Sequence, residues 1–463
     1  MTAAVLLSAC ASLPPATPAR QAKAPGSYGT TRAFAAPPAD WPADAWWRRY
    51  GDAQLDALID EALAGSPSLA QARARLAKAE ASTAVARAAT LPSLSANGSV
   101  EEMKESYNAG IPPAFVPQGY NDFGEIALNF NWELDFWGKN RAAVAAAASE
   151  ARAARADAAE ARLVLASSIA ASYATLAQLF AERDVTEAAV KVREETAALV
   201  QKRVVNGLDT QAELQQALAG APAMRAELAA IDEEIEETRD ALAALLGAGP
   251  DRGLAIARPP AARLKAFGLP AHLAADLIGR RPDVVAAKWR AEAATHSVAE
   301  AKAAFYPDIN LVAYIGEEAL HLDKLFASGS DIGSAGPAVS LPIFEGGRLR
   351  AGLRGARADR DAAVAAYDEA VTQALREVAE AAAGERALSV RLADSRQALA
   401  ANEAAWRIAR LRYDGGLSSY QAVLLAQDAV LTQRRVVSDL ESRALILDIA
   451  LVRALGGGFA ASS

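Results

Sequence analysis

The chain has 463 residues, a net charge of −8 and a pI near 5.3. That balance excludes a nucleic-acid partner, because binding phosphates needs Lys/Arg-rich patches. Aromatic residues make up only 6%, with three Met, three His and one Cys; an abundance of Ala, Leu, Glu, Arg and Gln points instead to long helices or coiled coil.

The chain opens with MTAAVLLSACASLPPATPAR. Its one thiol, Cys10, allows neither an internal disulfide nor a four-cysteine metal site. Small and apolar residues precede Cys10 and a Pro-rich stretch follows, an arrangement that resembles a bacterial lipoprotein signal with Cys10 as the lipidated first mature residue. Only nine residues precede it, none of them basic, so residues 1–9 read as the remnant of a signal peptide. Residues 10–50 read as a lipid-anchored, Pro-rich N-terminal segment.

Pro67 is placed to begin a helix that runs to about Thr90. Two strand-like runs follow, SLSANGSV and FGEIALNFNWELDF. In the second, Leu128, Phe130, Trp132, Leu134 and Phe136 alternate with Asn129, Asn131, Glu133 and Asp135, which is the pattern of a strand with one apolar and one polar face. A Pro-free stretch from about Gly138 to Val205 predicts a helix roughly 100 Å long. Within it, Leu163 to Ala181 carries no charge over 19 residues, about a bilayer span. It is rich in Ala and Ser and includes Gln178, so it reads as a helix covered by other helices. Gly207 marks a turn, and a further helix is expected from Thr210 to Leu246, with Pro222 as a point of kinking.

The same order then recurs. Pro67 and Pro92 are echoed by Pro282 and Pro307, each at an offset of 215; Gly138 is echoed by Gly346 at 208, and Gly207 by Gly416 at 209. The drop in offset places an insertion in the first copy, in the Gly/Pro-rich stretch from Ser106 to Tyr120. The second copy predicts a helix from Pro282 to Phe305, the strands DINLVAYI and AGPAVSLPIF, a long helix from Gly346 to Tyr413 and a last helix from Ser419 to Leu455. In each copy the two shorter helices, end to end, nearly equal the long one, which suits an antiparallel pair with one partner split. Seven-residue repeats support that packing: Leu214, Ala221, Leu228, Ile235 and Leu242, with Ala217, Met224, Ile231, Thr238 and Leu245; then Val423, Val430, Val437, Ala444 and Leu451, with Ala426, Gln433, Leu440, Leu447 and Ala454. Such seams imply supercoiling. Four strands leave two open edges, which a membrane does not tolerate. Three copies would close twelve strands and twelve helical staves into tubes.

LIGRRPDVVAAKWRAEAA, AFYPDINL, LPIFEGGRLRA, the closing LVRALGGG and the early WWRRYGDAQLDALIDEAL together resemble the outer-membrane factor family, of TolC, OprM and NodT type. The resemblance covers about Trp46 to Gly458. It implies a mainly α fold with a membrane β-barrel: a homotrimer with a 12-stranded barrel in the outer membrane and an α-helical barrel crossing the periplasm. It implies a duct of a tripartite efflux or secretion system that exports small molecules such as drugs. Its partners would be a periplasmic adaptor (membrane fusion protein) and an inner-membrane pump of the resistance-nodulation-division type. It also supports the lipid on Cys10, with outer-membrane lipid around the barrel and no other cofactor. A type I protein-secretion duct is the alternative within that class, and a periplasmic coiled-coil scaffold the alternative outside it. The domains are then residues 51–250 for the first repeat, 251–271 for an equatorial linker, 272–458 for the second repeat and 459–463 for a tail.

An enzyme finds little support. His272, His296 and His321 have no ligand spacing, and H-E-x-x-H, the P-loop, G-x-G-x-x-G and G-x-S-x-G motifs are all missing. The functional regions are the two glycine turns. By the resemblance, Gly207, Leu208, Asp209 and Thr210, with Gly416, Leu417, Ser418 and Ser419, are adaptor-contact tips at the periplasmic mouth. The resting pore gate is expected on the following helix. Aligned on Gly416, the positions where the family often carries Asp are here Ala422 and Leu425, so a gate of Tyr420, Gln421 and Leu425 is expected, with Asp428 next in line.

Overall fold

A computed structural model describes residue 15 and residues 18–260, 264, 267–271 and 273–460. Cys10 and His272 lie outside the described residues.

The described chain forms helices α1 (Ala53–Gly65) and α2 (Pro67–Ala88), strands β1 (Ser93–Met103) and β2 (Asn121–Glu133), and helices α3 (Lys139–Val205) and α4 (Gln211–Leu246). After the short helices α5 (Pro250–Leu254) and α6 (Leu273–Arg280), the pattern repeats as α7 (Pro282–Ala303), β3 (Asp308–Leu320), β4 (Asp331–Ser340), α8 (Arg348–Asp414) and α9 (Tyr420–Ala454). The two long helices each have 67 residues. α4 runs through Pro222 as one helix. Two strand ends differ from expectation. β2 ends at Glu133, just before Leu134, whose amide still donates to the Ile309 carbonyl at 2.8 Å, and Phe136 lies beyond it; β4 stops at Ser340, two residues before Pro342, which has no N–H to donate to a ladder.

The chain divides into two compact units, each discontinuous in sequence. One takes in residues 75–154 and 287–367 and holds the whole sheet. Its strands lie in the order β1-β2-β3-β4, all antiparallel, with β1 and β4 as open edges. The register fixes the faces. Leu94 pairs with Phe130, and Phe130 with Ala313; Ala96 pairs with Leu128, and Leu128 with Ile315; Trp132 pairs with Leu311, and Leu311 with Pro337. Residues paired this way share a face, so one side of the sheet is an apolar band. The other side carries Ser95, Asn129, Tyr314 and Ser334 in one row and Ser99, Glu125 and Glu318 in another. The band is open to the surroundings: Leu94 is 69% exposed, Ile315 68% and Val339 66%. Among the described residues the sheet thus keeps an exposed apolar face and two unpaired edges.

The other unit holds residues 23–74, 155–286 and 368–463, and contains the main core. The uncharged stretch of α3 supplies Leu165, Ala166, Ile169, Ala170, Tyr173, Ala174 and Leu176 to that core, packed with Trp46, Trp47, Tyr50, Leu55, Ile59 and Leu242. Its apolar character is therefore accounted for by burial among helices. Every position of the four heptad seams is buried or partly buried.

Candidate functional site: the paired glycine turns

Each long helix ends at a turn built the same way. Gly207 has φ 71° and Gly416 φ 72°, the left-handed region that favours glycine at a helix C-terminus. The Leu208 amide donates to the Arg203 carbonyl at 2.8 Å, and the Leu417 amide to the Arg412 carbonyl at 2.7 Å. The next helix is started differently in the two copies. Thr210 and Glu213 form a reciprocal capping box at α4, whereas Ser419 makes no side-chain cap at α9.

The turn residues divide into two sets. Leu208 and Leu417 are 64% and 72% exposed, and Gly207, Thr210, Gly416 and Ser419 are also exposed. Asp209 is turned inward. Its carboxylate accepts from Arg203 Nε at 3.0 Å and from the Tyr413 hydroxyl. Arg203 also donates to the Tyr413 carbonyl at 3.0 Å and stacks over the Tyr413 ring at 4.3 Å. Burial, and then the neighbouring Asp209 carboxylate, push the Tyr413 hydroxyl well above the usual tyrosine range, so it stays protonated and donates. Ser418 is partly buried, and its hydroxyl makes no hydrogen bond to the described residues. The Asp209–Arg203–Tyr413 network joins the first turn to the end of α8.

Behind it lies a small core of Ala197, Val200, Leu214, Ala217, Tyr413, Tyr420 and Val423. Tyr420 is 1% exposed, with its ring 5.9 Å from that of Tyr413. The structure thereby takes Tyr420 off the open face of α9, against the expectation that it lines a gate. That open face is formed by Gln421, Ala422, Leu425 and Asp428, spaced three and four apart. Leu425 is 65% exposed. The Asp428 carboxylate is drawn toward α3, where it accepts from Arg193 Nη2.

Sequence reading located the turns through their glycines but missed Arg193, Arg203 and Tyr413. Arg and Tyr on amphipathic helices are common, and no local pattern marks the ones that meet across more than 200 residues. Among the described residues no group of His, Cys, Asp and Glu side chains is arranged to hold a metal ion.

The comparisons with known proteins follow the same architecture. The family model described as "Outer membrane efflux protein" matches two segments, residues 58–248 and 273–457, one over each half of the chain. The chain is 34% identical over 436 residues to the multidrug resistance outer membrane protein MdtP of Shigella flexneri, a match covering 91% of this chain and 88% of that protein. It is 40% identical over 325 residues to the fusaric acid resistance protein FusA of Burkholderia cepacia, covering 69% of this chain and 61% of that protein. Among solved structures, the outer membrane protein VceC of Vibrio cholerae superposes with a TM-score of 0.86 at 46% identity, covering 90% of this chain and all of that one.

Proposed function

The chain belongs to the outer membrane efflux protein family, and we propose that it is the outer-membrane exit duct of a tripartite efflux pump, closed as a homotrimer. It is a channel and not an enzyme. The observation that carries the trimer is the unfinished sheet: four strands with an exposed apolar face and two open edges. Three copies would join β4 of one to β1 of the next into twelve strands, placing the apolar rows against lipid and the Ser, Asn and Glu rows in the lumen. The sizes of the exported molecules follow from the duct, and their identity from the pump that feeds it.

The glycine turns serve as the periplasmic mouth in this reading. Leu208 and Leu417 are exposed apolar side chains at matching places in both repeats, which suits docking against the hairpin of a periplasmic adaptor coupled to an inner-membrane pump of the resistance-nodulation-division type. Gln421 and Leu425 form the resting constriction, where an apolar ring hinders ions by dewetting. Cys10 carries a lipid that adds a second, weaker anchor beside the barrel.

Light scattering of the detergent-extracted protein tests the assembly, with a trimer mass expected; a monomer or dimer refutes it. Planar-bilayer conductance tests the mouth. Leu425→Ala together with Gln421→Ala should raise resting conductance, and unchanged conductance in an intact trimer would place the constriction elsewhere.

A further inference from the structure

The junction between the sheet and α8 carries an apolar surface that the described residues leave open. Just past β4, Ile343 and Phe344 are exposed, Phe344 by 90%. Beside them lies a hollow of about 200 Å³ lined by Phe305, Pro342, Ile343, Phe344, Leu349 and Arg350. Its floor is packed: Phe305 is buried with Val298 and Leu353, against Leu349. Next to Phe305, Tyr306 stacks on Trp137 at 4.8 Å, and the Trp137 indole N–H donates to the Pro307 carbonyl at 2.9 Å. Half-exposed Trp and Tyr of this kind suit the boundary between lipid and water. The apolar face of the sheet leads toward the hollow through Pro337 and Val339 of β4. Whole small-molecule sites run to ~300–1,000 Å³, so a hollow of this size takes one part of a larger molecule.

The rim of the hollow is cationic. Arg348, Arg350, Arg354, Arg357 and Arg360 stand in the first turns of α8, against Glu345, Asp359 and Asp361. Arg348 pairs with Glu345 at 2.6 Å, Arg360 pairs with Asp361 at 2.7 Å, and Arg357 donates to the Pro15 carbonyl at 3.0 Å. Arg350 lines the hollow and Arg354 follows one turn later on the same side of the helix; both are exposed. The duplicated fold does not require them. At the offset of 208 that relates Gly138 to Gly346, the first repeat has Ala142 and Ala146 in their places. Its own cations at that junction are committed to neighbours: Lys139 to Glu133 at 2.8 Å and Asp308 at 3.1 Å, and Arg141 to Asp135 at 3.3 Å.

Apolar walls, a cationic rim and continuity with the apolar face of the sheet fit one occupant. We propose that the hollow seats an anionic phospholipid from the leaflet nearest the helices, with its phosphate on Arg350 and Arg354 and the start of an acyl chain against Phe305, Ile343 and Phe344. Guanidinium forks match phosphate oxygens bidentately. A headgroup of net negative charge, such as phosphatidylglycerol, brings no cation to the two arginines, whereas a zwitterionic headgroup does. One lipid per protomer would then tie the periplasmic rim of the barrel to anionic lipid, through the second repeat alone. This inference rests on the reading of the apolar face as lipid-facing.

Native mass spectrometry of the detergent-extracted full-length trimer tests this, with phosphatidylglycerol and phosphatidylcholine of identical chains as probes. Phosphatidylglycerol should be retained in preference, one molecule per protomer, and excess inorganic phosphate should not displace it. Arg350→Gln together with Arg354→Gln should lower the preference on the order of tenfold, as the loss of two cations beside a lipid headgroup implies. Arg354→Gln alone should lower it by less, and covers the case in which the double variant fails to assemble. Phe344→Ala should weaken both lipids alike, because it removes wall and not charge. Lys139→Gln, at the matching junction of the first repeat, should leave the preference intact. An equal loss in Lys139→Gln and in the arginine variants, or displacement by phosphate alone, overturns the site in favour of unspecific charge. A trimer that falls apart in both arginine variants means that a second copy of the chain covers the hollow, which also overturns it. Retention of both lipids without preference overturns the site and leaves the lipid-facing reading standing. Retention of neither lipid by an intact wild-type trimer brings that reading down, and the site with it.

Discussion

Removing one oxygen atom from Tyr413 should loosen the paired glycine turns by a calculable amount. Tyr413→Phe deletes the hydroxyl that donates to Asp209, and leaves the ring in place against Arg203 at 4.3 Å and Tyr420 at 5.9 Å. Hydrogen bonds to a charged group contribute ~1.5–3 kcal/mol. The lower end applies here, because Asp209 keeps Arg203 at 3.0 Å. A loss of about 1.5 kcal/mol corresponds to a roughly tenfold rise in local opening. Asp209→Ala is harsher. It leaves the Arg203 guanidinium, 14% exposed, with only the Tyr413 carbonyl and ring; about 3 kcal/mol is expected, near the lower bound for breaking a buried pair. Hydrogen exchange followed by mass spectrometry in the detergent-solubilised protein reads both changes at residues 204–215 and 413–420, with the main core as internal control. Exchange within about twofold of wild type in both variants would refute the role given to this network.

Two further outcomes follow from the same structure. Glu160 is held near Asp283 and Glu377 as well as Arg281 and Arg453; burial first, then the Asp283 carboxylate, push it up to about 7 from an ordinary 4.5. Its folded value lies above its unfolded one, so the folded state binds the extra proton between about pH 4.5 and 7 and loses stability as pH rises through that window, by up to ~3 kcal/mol. Glu160→Gln should flatten that slope and raise the melting temperature more at pH 8 than at pH 5, and equal shifts at both pH values would count against it. In the proposed barrel, Leu128→Arg on the apolar face of the sheet should cost ~2–4 kcal/mol of stability, as a charge at the lipid midplane does, while Asn129→Arg on the opposite face should be tolerated. Heat-modifiable migration on gels after reconstitution compares them, and equal loss in both would mean that the faces have been assigned the wrong way round.

The sequence by itself determined the elements and their duplication, because the signals that mark them are local. Prolines at 67 and 282 open helices, glycines at 207 and 416 supply a backbone conformation that other residues resist, and alternation over Leu128 to Trp132 separates the two faces of a strand. The heptad seams predicted which sides of α4 and α9 are covered, since a seven-residue period leaves one stripe for burial. Where each strand stops was less legible, because the apolar alternation of β2 continues past Glu133 through Leu134, whose amide still donates to the Ile309 carbonyl, to Phe136, which lies beyond the strand. The contacts around the glycine turns came only from the tertiary structure. Arg193 and Asp428 are 235 residues apart and Tyr413 and Asp209 are 204 apart. Charges on a long amphipathic helix look alike in sequence; which of them is buried, and beside which partner, depends on how two repeats pack. The same holds for Tyr420 and Gln421, adjacent in sequence, of which one is buried in a small core and the other open. A helix turns by about 100° per residue, so only the position of a neighbouring helix decides which of the two faces outward.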